Sequence, residues 1–197
     1  MVSNDIHISL ATTDDDLKQI LHLQALNHKS NLSPEQALKN GFVTVRHTES
    51  LLKTICQPYH HIIAKLDDKV VGYALVMLSR YSNLVPELQM MDDLLNKLYY
   101  TNKPMRTFKY VIMGQICIAE EVRGKRVFDD LYGYMSTYLK NHFDFIITEV
   151  AERNQRSMKA HQREGFHTIH TYHEESIVEV CNVVIFPLAG DQMRSSI

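Results

Sequence analysis

The sequence predicts an α/β chain, an α+β mixed sheet flanked by helices. Strand-like and helix-like segments succeed one another along the whole length, with helices placed at intervals between strands. Two apolar runs in "HHIIAKLDDKVVGYALVMLS" flank the turn residues "DDK", which is the signature of a hairpin. A long apolar segment, "FKYVIMGQICIAEE", has the character of a central strand.

The elements follow in order. "DIHISLA" alternates and predicts a first strand. "TTDDDLKQILHLQALN" offers threonine N-caps, acids in the first turn and apolar residues at Leu17, Ile20, Leu21, Leu23 and Leu26, a helix with a capped start. "LSPEQALKNG" predicts a short helix that Ser33 caps, Pro34 opens and Gly41 ends. "TESLLKTIC" predicts another, and the hairpin follows. From Arg80 to Lys109 the strand rhythm breaks, and "PELQMMDDLLNKLYY" carries Leu88, Met91, Leu94, Leu95 and Leu98 on or near one helical face. That segment is an insertion between strands. After the central strand come a helix in "RVFDDLYGYMSTYLKNH", a strand in "FDFIITEVA", a helix in "NQRSMKAHQREG", and closing strands in "FHTIHTY" and "SIVEVCNVVIFPL". No repeat, linker or low-complexity segment divides them. The expectation is one domain over residues 1–197 with a helical insertion around 80–109.

Composition is that of an ordinary globular chain, 45% hydrophobic and 22% charged over 197 residues. A net charge of -2 provides no global field for nucleic acid, so any anion site must be local. The cysteines Cys56, Cys117 and Cys181 are scattered and odd in number, which fits a reducing cytoplasm rather than a disulfide framework. The acidic start lacks the apolar run of a signal peptide, and no segment has transmembrane length. The expected location is therefore cytoplasmic, with no membrane partner. The 11 histidines show no firm metal-ligand spacing, so no metal is expected.

One turn bears on function. In "EEVRGKRVFDDLYGYM", Arg123, Lys125 and Arg126 surround Gly124 just before a helix. Helix-start N–H groups are unsatisfied and partly positive, so a phosphate can sit there. Gly124 lets backbone approach closely, while Asp129 and Asp130 stabilise the helix start but would repel an anion on their own side. A solvated basic turn has the same composition.

A second motif changes the balance. "TEVAERNQRSMKAHQREGF" carries Glu149-Val150, then Asn154, Ser157, His161 and Gly165-Phe166. This pattern resembles the GNAT superfamily of acyl-CoA-dependent N-acyltransferases. That family has Asn-x-x-Ala/Ser-x-x-x-Tyr/His-x-x-x-Gly-Phe after an Arg/Gln-x-x-Gly-x-Gly/Ala loop for the pyrophosphate of acyl-coenzyme A. The later pattern is met at every marked position. The loop is met in part: Arg123 and Gly124 stand where the family has Arg-Gly, Arg126 replaces the next glycine and Phe128 the final glycine or alanine. The element order resembles the family from Ile6 to Pro187, and its specific motifs span Gly114 to Phe166.

The resemblance implies the GNAT fold and transfer of an acetyl or other acyl group from acetyl-coenzyme A to a primary amine, by direct attack on the thioester. It assigns the cofactor to Arg123, Gly124, Lys125, Arg126, Val127 and Phe128 at the pyrophosphate. Backbone groups of Ile116, Cys117 and Ile118 take the pantetheine arm, and Asn154 and Ser157 lie further on. Asn154 either bonds the pantetheine amides or caps the following helix. Glu149 matches a glutamate proposed as general base in protein N-terminal alanine acetyltransferases of this superfamily; the alternative is a solvent-facing strand glutamate. His161 stands where many members have a tyrosine proposed to protonate the thiolate, and is either that acid, a cofactor contact or a helix-surface histidine. Gln115 is an ordinary strand amide or a substrate contact, and Cys117 a buried core thiol. The acceptor is a small-molecule or peptide amine, the last strand offers an edge for a homodimer, and nucleic acid is not a partner. The rival function is a non-catalytic acyl-coenzyme A sensor, which the altered glycine loop suggests.

Overall fold

The computed structural model describes residues 5–174 and 179–188. It divides into two compact units. The first takes the chain up to Met77 together with Gly114–Met135, and the second takes Leu78–Met113 and the chain from Ser136 on.

The first unit opens with β1 (Ile6–Leu10) and α1 (Asp14–Asn27). Thr13 accepts from the Asp16 N–H at 3.1 Å, and Asp16 Oδ2 accepts from the Thr13 N–H at 3.0 Å. This reciprocal capping box starts the helix. Lys65 then pairs with Asp16 at 2.6 Å and ties that start to the sheet. Leu17, Ile20, Leu23 and Gln24 are buried, whereas Leu26 is 58% exposed. The expected apolar face therefore turns by one position and takes in a glutamine. Two short helices follow, α2 (Pro34–Asn40), with its Ser33 cap, and α3 (Glu49–Ile55), capped by Thr48.

β2 (Ile62–Leu66) and β3 (Lys69–Met77) form the expected hairpin, with Leu66 opposite Lys69 and Asp67 turning at φ 53°. Strand order in this unit is β1-β2-β3 and then β6 (Tyr110–Ile118). The last five residues of β6, Gly114–Ile118, belong here. Adjacent strand residues point to opposite faces. A Cβ on Gly72 would come within 3.1 Å of Val127 Cγ1, so its absence lets α5 (Val127–Leu139) approach β3 closely. The next residue, Tyr73, points to the other face, toward α1.

The second unit contains the segment expected as an insertion. α4 (Pro86–Leu95) buries Leu88, Met91 and Leu95. The helical pattern of the sequence runs on to Tyr100, but the helix stops at Asn96. Tyr99–Tyr100 (β4) instead pair with Lys103–Pro104 (β5). Thr101 and Asn102 both have left-handed backbone, φ 46° and 64°, as a tight hairpin turn requires. Tyr100 packs edge-on against Phe145, 5.3 Å between ring centroids, and its hydroxyl meets His167 Nε2 at 3.1 Å. That long-range packing overrides the local helical period.

In this unit β6 pairs in parallel with β7 (Phe145–Ala151), from Tyr110↔Phe145 to Ile112↔Ile147. β7 pairs antiparallel with β9 (Glu179–Pro187), and β9 with β8 (His167–Glu174). The sheet is thus mixed, as the sequence predicts. α6 (Gln155–Glu164) packs on β7 and ends at Gly165, whose φ of 98° favours glycine. Of the last expected strand, Ser176–Val178 lie outside the described residues. Among the described residues no helix is long and apolar enough to cross a membrane.

Candidate active site

The first unit carries the basic turn. After β6, Val122 N–H donates to Ala119 and Lys125 N–H to Val122, and α5 then starts at Val127. Gly124 has φ 81° and no heavy atom within 4 Å of where a Cβ would stand. Arg126, in the family's glycine position, also has left-handed backbone, φ 62°. The turn keeps a glycine-type conformation with an arginine in it, at a cost of about 1 kcal/mol. The Arg126 side chain is exposed and lies 3.4 Å from Asp129. Lys125 is exposed, Val127 is buried in the core, and Phe128 packs against Tyr132 with ring centroids 5.0 Å apart and planes tilted by 58°.

Arg123 is turned inward. Its Nε donates to the Ile118 carbonyl at 3.2 Å and its Nη2 to Asn27 Oδ1 at 2.8 Å. The motif arginine braces the end of β6 against the end of α1, and so fixes where the turn stands. On β6, Ile116 and Ile118 are half-buried, while Cys117 is buried with its thiol pushed up to about 12 by desolvation. A thiol with that proton affinity stays protonated and is no nucleophile at neutral pH.

Under β6 lies a polar network. Gln115 Oε1 accepts from Tyr73 at 2.6 Å and from Gln24 at 2.9 Å, and Gln115 Nε2 donates to the Val45 carbonyl at 3.0 Å. Gln24 also accepts from the His47 N–H and meets His47 Nδ1. Burial holds His47 down to about 4, so its ring is neutral. The sequence carries two signals for this network, Gln115 in an apolar strand and Gln24 in line with Leu17 and Ile20 on the buried helical face.

The second unit carries the other motif. Asn154 caps α6, its side chain accepting from the Ser157 N–H at 3.4 Å. His161 is 1% exposed, and its Nδ1 lies 2.8 Å from the Ser157 carbonyl. A carbonyl only accepts, so Nδ1 carries the proton. Burial lowers His161 to about 4, which leaves a neutral ring with the lone pair on Nε2. Phe166 stands edge-on to it at 5.0 Å. Glu149 is half-buried on β7, and its carboxylate accepts from the hydroxyl of Tyr172 on β8. Tyr172 went unremarked in the sequence, because only strand register brings it there. The first unit holds Ile116–Ile118 and Arg123–Phe128; the second holds Glu149, Asn154, Ser157 and His161.

The chain matches known proteins chiefly in fold. The ribosomal-protein-S18-alanine N-acetyltransferase from Escherichia coli superposes with a TM-score of 0.61 at 11% identity, covering 98% of this chain and 99% of that one. Ard1 from Thermoplasma volcanium gives 0.63 at 12% identity, with 94% and 99% covered. The yncA protein from Salmonella typhimurium, solved with its cofactor acetyl-CoA, gives 0.61 at 10% identity, with 98% and 100% covered. No curated protein matches the chain. The sequence signature of the Acetyltransferase (GNAT) family matches residues 29–166, which include both motifs. A match over that span, on a mixed sheet flanked by helices, places this chain in the GNAT family of acyl-CoA-dependent acetyltransferases.

Proposed function

We propose that the protein transfers an acetyl group from acetyl-coenzyme A to a primary amine of a small molecule or peptide, with Glu149 as general base. The observation that carries this reading is the Glu149 carboxylate, half-buried on β7 five residues before the Asn154 cap and fixed by a hydroxyl donor. A base must be held in place before its proton affinity matters.

The residues present suit the co-substrate. The open space beside Gly124 and the glycine-type backbone at Arg126 keep main-chain N–H groups available at the start of α5 for a pyrophosphate. Lys125 and Arg126 add exposed positive charge, and Ile116, Cys117 and Ile118 offer backbone groups to the pantetheine. When bound, acetyl-coenzyme A supplies an activated acyl carbonyl. Glu149 takes a proton from the acceptor's ammonium group, which makes the amine nucleophilic. Asn154 caps α6 through the Ser157 N–H, and the resemblance to the family also assigns both residues to the cofactor. Of the roles open to His161, the geometry favours contact over acid catalysis. Its proton is engaged by the Ser157 carbonyl, and Nε2 presents an acceptor. The basic turn serves the cofactor and not nucleic acid, and a homodimer through a strand edge remains part of the proposal.

Release of free thiol from acetyl-coenzyme A, measured across a panel of peptide and small-molecule amines, tests the reading. Glu149→Gln is expected to lower kcat by about 10² to 10⁴ while cofactor binding by calorimetry persists. Cofactor binding with no wild-type turnover on any amine would instead identify a sensor.

A further inference from the structure

The phenol of Tyr172 donates to Oε2 of Glu149, although β9 lies between their strands. Register explains the reach. Glu149 opposes Val183, which opposes His170; Ala151 opposes Cys181, which opposes Tyr172. Opposed residues share a sheet face, so Glu149, His170 and Tyr172 all point the same way, and the tyrosine crosses on the diagonal.

That shared face depends on one residue of β8. Thr168 opposes Val184, yet His170 opposes Val183, so the strand carries one extra residue at this point. Without the step, Tyr172 would stand opposite Val180 and point to the other face. Bulges occur next to active sites because they re-aim side chains in this way. The His170 ring then stacks on Tyr172, 6.4 Å between centroids and 21° between planes, which limits the phenol's rotamers.

We infer that Tyr172 is a positioning residue for acyl transfer: the β8 bulge turns it toward Glu149, and its hydroxyl holds the carboxylate ionised and oriented for the acceptor's ammonium proton. The inference rests on the reading of Glu149 as base. Tyr172 keeps its own proton throughout. Donation to a carboxylate favours the charged form, so the contact keeps the base deprotonated as well as aimed.

Two readouts test it. The first is carbon-13 NMR of glutamate-labelled full-length protein, with the Glu149 carboxyl signal assigned by its loss in Glu149→Gln. In Tyr172→Phe the titration midpoint of that carboxyl is expected to rise by about one pH unit, with unchanged circular dichroism. The second is the kcat/KM–pH profile on an amine the wild type acetylates. Tyr172→Phe should lower kcat, move the acidic limb upward and leave KM for acetyl-coenzyme A unchanged. A folded Tyr172→Phe with an unmoved carboxyl titration and an unmoved limb overturns the role of Tyr172 alone. Absence of wild-type turnover on every amine overturns the acyl-transfer reading, and with it the purpose of the contact.

Discussion

The two units each carry one family motif and keep it by different means. In the second unit, Asn154 to Phe166 follows the family pattern residue for residue, and each local position has a local cause. Asn154 caps, and Gly165 takes the left-handed turn at φ 98°. In the first unit, the turn from Arg123 to Phe128 departs from the pattern, yet Arg126 adopts a left-handed backbone of the kind that favours glycine, φ 62°. A phosphate cradle is made of backbone N–H groups, so sequence identity is the weaker guide to it.

Acid should separate the units most strongly. His47 and His61 in the first unit are held down by burial to about 4 and about 3, and His161 in the second to about 4. Each is neutral when folded but takes up a proton when unfolded once the pH falls below 6.5. Their contribution is complete above that value and is lost as the pH falls toward their folded values. Each should cost about 1.4 kcal/mol per pH unit over that range, and His167 in the second unit is also lowered by burial, so the first unit's steeper loss rests on the wholly buried His61. Native-state hydrogen exchange at a series of pH values would show this, and equal slopes would sink the distinction.

Gln115→Leu bears on the first unit alone. It leaves the Tyr73 hydroxyl, a Gln24 N–H and the Val45 carbonyl without Gln115 as partner. Stability should fall by about 4 kcal/mol in urea titration. A loss below about 1 kcal/mol would mean that the network adds little beyond packing.

The two left-handed positions provide the sharpest contrast. At Gly165 a Cβ would meet Phe186 no closer than 3.7 Å, so Gly165→Ala costs backbone strain only, about 1 to 2 kcal/mol. Arg126→Gly relieves the same strain and should stabilise by about 0.5 kcal/mol after glycine's entropy is counted. If denaturation shows Arg126→Gly to be destabilising, the arginine side chain holds the turn and the backbone account is wrong.

Much of the fold was legible because its signals are local. Thr13 and Ser33 cap the helices they precede, and the "DDK" turn closes its hairpin. The helical reading through Tyr100 failed because Tyr100 packs on Phe145, distant in sequence. The motif residues were legible by resemblance, but their side-chain directions were not. Arg123 looks like a free cation in sequence and is a brace to Asn27 in space.

By itself, the sequence determined the strand and helix order, the caps, and the two motifs that mark the family, because each depends on neighbours in the chain. Tertiary structure decided the rest. It put Gln24 under β6, set the tautomer of His161, and, through one extra residue in β8, turned Tyr172 toward Glu149. Strand register and burial set those contacts, and both depend on residues far apart in the chain.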